Sequence, residues 1–288
     1  MKIGIFGGTY NPPHLGHMAA AKAAIETLHL DKLLLIPDRI PPHKELPENP
    51  VSNEDRLAMT RIMGDRLDCP DVVEVSDLEM HRTGKSYTSD TLREMKARYP
   101  DDELWLLMGT DMFLTLQTWH QPGRILAQAR VAAFARAESD SMEAMERQAA
   151  FLRDTYGAQA TLLHLPRVTE VSSTFLRSRL REDRAEVRDL LWCQVYGSIL
   201  RRGLYGVKAD LRHLDDEDLR RCSWSMVKAK RIPHIRGCEE EAVRLAERWG
   251  ADPHLARRAG ILHDCTKYLD LEEQLALCEQ YHIQLDEL

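Results

Sequence analysis

Short, nearly continuous apolar runs recur along the first two thirds of the chain, separated by longer segments of helical composition. Residues 2–6 (KIGIF) form the first run and stop at Gly7-Gly8, which reads as a buried strand ended by two residues that let a ligand approach the backbone. Thr9 to Pro13 supply a turn, and the alanine-rich stretch 18–30 has the length and composition of a helix. Residues 32–37 (KLLLIP) are continuously apolar and closed by proline, the mark of a central strand in a parallel sheet. Strand, helix and strand in succession predict a right-handed βαβ unit.

The same alternation continues. A helix is predicted over 52–67, with Ser52 or Asn53 as its cap and Glu54 and Asp55 in its first turn. Strands follow at 72–76, 103–108, 130–136 and 160–165. Between them lie a helix running to Tyr99, one that follows Gly109-Thr-Asp111 and reaches Trp119, and a charged amphipathic helix over 141–156. This pattern predicts an α/β, Rossmann-like domain with a parallel sheet. A further helix begins after Arg188 and ends at Leu204-Tyr205-Gly206. Beyond Gly206 the texture changes to charged, helix-forming sequence without strand signals, so a smaller all-α domain is expected over 207–288 after a first domain of 1–206.

The totals narrow this picture. A chain of 288 residues holds one large domain or two ordinary ones. A net charge of -7 with a pI near 6.0 argues against a general nucleic-acid binder. The six cysteines, at 69, 193, 222, 238, 265 and 278, form no C-x-x-C pair, and the N-terminus lacks the apolar region of a signal peptide. A cytoplasmic location with reduced thiols is the expectation. No apolar run is long enough to cross a bilayer, so no membrane partner is expected. Nothing in the sequence sets an oligomeric state.

Candidate chemistry concentrates at two strand-to-helix junctions. His14 and His17 are three apart and share a face in a first helical turn, beside the Gly7-Gly8 turn and the free N–H groups of a helix start. Such a point attracts phosphate. It is neither a P-loop, since no Gly-Lys-Ser/Thr follows, nor a Gly-x-Gly-x-x-Gly fingerprint. At the far end of the domain, Ser172, Ser173 and Thr174 offer hydroxyls and amides at a helix start, with Arg177 one turn on. A plain serine cap with a solvated arginine is the competing reading. The Gly84-Lys85-Ser86 triplet lacks the preceding glycine of a phosphate loop and is rejected as one. The proline-rich loop from Asp38 to Lys44 reads as a stiffened turn ending in two cations, His43 and Lys44. Asp111 stands at the C-terminal end of a parallel strand, where open α/β sheets bind ligands.

Together Gly7, Gly8, Thr9, Pro13, His14, Gly16 and His17 resemble the Gly-Gly-Thr-Phe-x-Pro-x-His-x-Gly-His signature of the adenylyltransferase superfamily. Tyr10 and Asn11 stand where that signature commonly has Phe and Asp. Later segments resemble those of bacterial nicotinate-nucleotide adenylyltransferases: Pro41-Pro42-His43-Lys44, Tyr87-Thr88-x-x-Thr91-Leu92, Gly109-x-Asp111 with Leu116 and Trp119, and Ser172-Ser173-Thr174-x-x-Arg177. The resemblance implies transfer of the adenylyl group of ATP, with Mg²⁺, to nicotinate mononucleotide. It implies charge stabilisation by His14, His17 and Lys44, and a clamp on the β- and γ-phosphates by Ser172, Ser173, Thr174 and Arg177. It further implies that Gly7, Gly8, Thr9, Gly109 and Asp111 line the nucleotide, that backbone around Thr88 meets the nicotinate carboxylate, and that Trp119 stacks on the pyridine ring. Thr88 and Asp111 as helix caps, and Trp119 as a core residue, are the plain alternatives.

Residues 231–267 resemble the opening of an HD-type metal phosphohydrolase, through Arg231-Ile-Pro-His234 and Leu262-His263-Asp264-x-x-Lys267. His234, His263 and Asp264 are suitable ligands for a divalent metal. The resemblance implies hydrolysis of diadenosine tetraphosphate by a complete domain. It also calls for a further histidine and a closing aspartate beyond residue 288, so an incomplete domain is expected. Two other functions fit parts of the pattern: a phosphopantetheine-type adenylyltransferase, which shares only the first signature, and a nucleotide-binding regulatory module without turnover.

Overall fold

A computed structural model describes residues 1–42, 51–135, 139–165 and 171–284. The chain divides into two compact units, Met1–Trp192 and Cys193–Leu288. The first contains β1 (Lys2–Gly8), α1 (Leu15–Leu28), β2 (Lys32–Pro37), α2 (Asn53–Asp65), β3 (Val73–Val75), α3 (Thr88–Arg98) and β4 (Glu103–Gly109). It continues with α4 (Thr110–Leu114), α5 (Pro122–Gln128), β5 (Arg130–Ala135), α6 (Ser139–Tyr156), β6 (Ala160–His164), α7 (Ser173–Glu182) and α8 (Arg184–Val187).

The six strands form one parallel sheet in the order β3-β2-β1-β4-β5-β6. Its strands read as continuous apolar runs because both faces are covered. Ile3, Ile5, Leu34, Ile36, Leu104, Leu106 and Met108 face a core shared with α3, α5 and α6, while Phe6, Leu33, Leu35, Trp105 and Leu107 face one shared with α1 and α2. The chain moves outward in one direction through β2 and β3 and in the other through β4 to β6, so the order reverses between β1 and β4. Ligands of such sheets bind at this reversal, beyond the carboxyl ends of the strands. Gly8 ends β1 there and Gly109 ends β4.

Two local expectations change. The helix expected after Gly109-Thr-Asp111 and reaching Trp119 is broken into α4, which already starts at Thr110, and a single tight turn at Leu116–Thr118. The Thr115 hydroxyl donates back to the Asp111 carbonyl at 3.0 Å and the Thr118 hydroxyl to the Thr115 carbonyl at 2.7 Å, bonds with which threonine competes against helix continuation. Gln121 then takes a left-handed conformation (φ 56°) and Pro122 opens α5, a short helix that the sequence reading did not anticipate.

The second unit contains α9 (Cys193–Arg202), α10 (Asp216–Trp224), α11 (Ile232–Trp249), α12 (Pro253–Leu262) and α13 (Leu271–Gln280). It begins earlier than the Gly206 boundary read from texture, because α9 packs on α10. A Cβ on Gly197 would lie 1.8 Å from the Arg221 carbonyl oxygen, and the Gln194 amide donates to the Trp224 and Val227 carbonyls at 2.7 and 3.1 Å. Its described residues are helices and turns, as the texture implied. Among the described residues no helix is long and apolar enough to cross a membrane.

Candidate active site

At the end of β1 the chain turns through Tyr10, a buried residue held in the left-handed region (φ 45°). Its hydroxyl donates to the Phe6 carbonyl at 2.8 Å, so the phenol in place of the signature's phenylalanine has its polar atom satisfied. His14 then caps α1 and His17 lies one turn in, with ring centroids 3.8 Å apart. The helix thus begins three residues before the alanine-rich stretch. The His14 amide donates to His17 Nδ1 at 3.2 Å, which places the proton of a neutral His17 ring on Nε2. His14 is buried, its Nδ1 makes no hydrogen bond with described residues, and burial pushes its imidazole down to about 4. The ring is therefore neutral near pH 7. The charge stabilisation expected of His14 would then come from a neutral hydrogen-bonding group.

The segment after β1 and the start of α7 meet. Ser173 Oγ donates to the Pro12 carbonyl at 2.9 Å, and Arg177 Nη1 donates to the Asn11 carbonyl at 2.7 Å. Ser172 caps α7 by accepting from the Phe175 amide at 3.1 Å, and Thr174 Oγ1 accepts from Arg177 Nη2 at 3.1 Å. The Ser172 and Ser173 hydroxyls are thus engaged within the protein.

Gly7 and Gly109 occupy open ground. A Cβ on Gly7 would meet only the Ile36 carbonyl, at 4.0 Å, and one on Gly109 nothing within 4 Å. Packing does not require glycine at either strand end; a ligand lying close over bare backbone would. Gly109 caps α4, and Asp111 is exposed in that helix's first turn. Thr88 is the first residue of α3, whose cap is Tyr87. Trp119 is half-buried against the sheet core, and the Tyr87 and His120 rings lie 4.4 Å apart, so the Thr88 and Trp119 segments adjoin. His43 and Lys44 lie outside the described residues.

Several positioning residues escaped the sequence reading. Arg56 of α2 is 1 % exposed, and its guanidinium donates to the Thr9 carbonyl (2.8 Å), Asp38 Oδ1 (3.3 Å), the Arg39 carbonyl (3.1 Å) and Asn53 Oδ1 (2.6 Å). Thr9 Oγ1 also donates to Asp38 Oδ2 at 3.1 Å. One buried cation thus ties the loop after β1 to the loop after β2. Its signal was an arginine on the helix face of Met59, Thr60 and Met63, all buried. A second network lies under the Tyr87-Thr88 turn. Thr91 Oγ1 bonds the buried Glu79 carboxyl, Arg82 donates to Thr91 Oγ1 (2.9 Å) and Glu94 (2.7 Å), and Arg39 donates to the Arg82 carbonyl (3.0 Å). Burial pushes the Glu79 carboxyl up, against the lowering effects of Thr91 and Arg82.

In the second unit His234 Nε2 and His263 Nε2 lie 3.2 Å apart, and Asp264 Oδ2 lies 3.6 and 3.5 Å from them. His263 Nδ1 faces the Gly260 carbonyl at 2.7 Å, which holds the proton on Nδ1 and turns the Nε2 lone pair outward, the arrangement of a metal-ligating imidazole. Asp264 is paired with Arg231 and Lys267, and the Arg231 hydrogen bond, the largest effect, holds its carboxyl below the usual range.

Residues 5–179 match the family profile described as cytidylyltransferase-like, and residues 231–285 match that of the HD domain. With its parallel sheet and the paired motifs at one edge, the chain is a nucleotidyltransferase of the cytidylyltransferase-like class, followed by an HD domain. It is 36% identical over 204 residues to a probable nicotinate-nucleotide adenylyltransferase of Carboxydothermus hydrogenoformans, covering 71% of this chain and 98% of that protein. It is 35% identical over 204 residues to the protein of the same description from Lachnoclostridium phytofermentans, with the same coverage. It belongs to the nicotinate-nucleotide adenylyltransferase family. A Plasmodium falciparum nicotinic acid mononucleotide adenylyltransferase, solved in complex with NaAD, shares the fold: TM-score 0.59 at 16% identity, over 72% of this chain and 98% of that one.

Proposed function

We propose that the first unit transfers the adenylyl group of ATP to nicotinate mononucleotide, giving nicotinate adenine dinucleotide and pyrophosphate. The observation that carries the site assignment is the joining of the two anion-binding segments through Ser173 to Pro12 and Arg177 to Asn11. A triphosphate can then lie across one sheet edge, between the start of α1 and the start of α7, over the bare backbone of Gly7.

In this reading a phosphate oxygen of the mononucleotide attacks the α-phosphorus of ATP. A P–O bond forms as the bond to the β-phosphate bridge breaks, and the electron pair leaves with pyrophosphate. The attacking monoester has its second pKa near ~6 and is largely dianionic at neutral pH, so no side-chain base is needed. The protein's part is to position groups and stabilise charge. His14 contributes a neutral imidazole and His17 a ring oriented by the His14 amide, while Lys44 adds a cation. Arg177 and the amides of Ser173 and Thr174 hold the departing pyrophosphate, and Mg²⁺ arriving with ATP offsets triphosphate charge. Gly8, Thr9, Gly109 and Asp111 line the nucleotide. Thr88 and Trp119 recognise the nicotinate ring, with the Glu79–Thr91–Arg82 network holding the turn that presents Thr88.

The experiment is pyrophosphate release by the purified chain with ATP and Mg²⁺, alone and with nicotinate mononucleotide, nicotinamide mononucleotide or phosphopantetheine. Release that requires the nicotinate compound and runs slower with the amide supports the reading. Release with phosphopantetheine instead, or ATP binding without turnover, refutes it.

For the second unit the reading is a divalent-metal site on His234, His263 and Asp264. The donor set fits, since two imidazole nitrogens and a carboxylate oxygen already face one another. A bound ion there supplies an activated water and charge neutralisation for phosphate hydrolysis, with diadenosine tetraphosphate the substrate to test.

A further inference from the structure

The helices that carry the two histidines are pressed together, and a cysteine shares the contact. Gly260 of α12 has no room for a side chain: a Cβ would lie 2.7 Å from the Glu239 Cα and 3.3 Å from the Cys238 carbonyl oxygen of α11. This close approach sets His263 beside the face of α11 that bears His234 and, four residues on, Cys238. Cys238 Sγ lies 3.4 Å from His234 Nε2, and one donor atom from each of His234, Cys238 and His263 falls within 4.8 Å of the others.

These separations can be compared with those a metal would impose. Bonds of about 2.05 Å to nitrogen and about 2.3 Å to sulfur give tetrahedral edges of about 3.3 Å between two nitrogens and about 3.6 Å between nitrogen and sulfur. The protein holds 3.2 Å between the two Nε2 atoms and 3.4 Å between Sγ and His234 Nε2. The Gly260 carbonyl fixes the tautomer that leaves His263 Nε2 as a lone-pair donor. Asp264 Oδ2 accepts from Arg231 Nε and also lies 3.6 and 3.5 Å from the two Nε2 atoms.

We propose that Cys238 is a further protein ligand of the second unit's metal ion, adding a thiolate to His234, His263 and Asp264 and so selecting a thiophilic divalent ion such as zinc or iron(II) over magnesium or calcium. The proposal rests on the reading of the HD segment as a metal site and adds the thiolate to it. Soft sulfur favours zinc, cobalt and iron, whereas magnesium and calcium seek oxygen. An ordinary hydrogen bond between two histidines beside a packed thiol is the competing account.

The full chain, reduced and stripped with a chelator, is titrated with cobalt(II) and zinc(II), in wild type and in Cys238→Ser, with circular dichroism confirming that the variant is folded. We expect cobalt to bring up the near-ultraviolet absorption of thiolate-to-cobalt charge transfer in wild type and not in Cys238→Ser. Zinc affinity of the variant should fall by at least about tenfold, no less than the loss of an outer hydrogen-bonding partner causes, and excess magnesium should leave bound zinc in place. Cobalt binding without the thiolate band, the same band in the variant, equal zinc affinities, or displacement by magnesium would overturn the Cys238 assignment while sparing the metal site. Failure of the wild-type chain to bind either ion would overturn both.

Discussion

Replacing Arg56 with alanine should damage the first unit more than any surface arginine would, since four acceptors on three segments depend on one guanidinium. The change orphans the Thr9 and Arg39 carbonyls, releases Asn53, and removes the cation from Asp38 at a site where Arg56 is 1 % exposed. Breaking a buried charge pair from one side costs about 3–5 kcal/mol, because the desolvated partner stays behind. In a domain of this size each kcal/mol moves Tm by about 2–4 °C, so a fall of about 8–16 °C is expected for a mid-range loss of about 4 kcal/mol. Arg56→Lys keeps the charge but cannot fork to two sets of acceptors. It should recover about half of the stability and still bind ATP less tightly, since Thr9 is tethered through this residue. Thermal and urea unfolding of both variants, read with pyrophosphate release, measures this. A loss below about 1 kcal/mol in Arg56→Ala, with unaltered turnover, would refute the view that this arginine holds the two loops in place.

Two further outcomes are expected. His17→Ala should lower turnover by about 10²-fold or more, as removal of a transition-state charge stabiliser does, with unfolding unchanged; near-normal turnover would remove His17 from the site. Acid stability should report His14, whose folded value of about 4 lies below the 6.5 of the free side chain. Between these values the unfolded chain takes up a proton that the folded chain refuses, so stability falls as pH drops from 6.5 towards 4, by up to about 3 kcal/mol. His14→Gln should flatten that part of the urea midpoint profile, and an identical acid slope in the variant would contradict the assignment.

The strands were legible because a parallel sheet buried on both faces leaves unbroken apolar runs, and five of the six run within one residue of their expected ends; β1 continues two residues further, through Gly7 and Gly8. His14 and His17 were legible because glycines, a proline and two histidines at a strand-to-helix junction form a pattern of local spacing. What escaped depends on distant partners. Arg56 looks like an ordinary helix arginine until the Thr9 and Asp38 loops close over it, and Glu79 matters through Thr91, twelve residues on. The break after Leu114 comes from threonine hydroxyls folding back on the main chain, which helical composition does not register. The close crossing of α9 and α10 at Gly197, which makes Cys193 the start of the second compact unit, leaves no mark in composition. Cys238 went unremarked because its nearness to His263 arises only when α12 closes on α11 at Gly260.

The bonds from Ser173 to Pro12 and from Arg177 to Asn11 span 161 and 166 residues of chain. During synthesis the histidine half of the site leaves the ribosome long before the arginine half exists. A nascent polypeptide can lay down its central strands, yet in the proposed reading it has nothing with which to grip both ends of a triphosphate until the seventh helix emerges and docks. Competence for transfer thus arrives in a single late step, and a product cut before Ser173 would keep much of the sheet while spending no ATP.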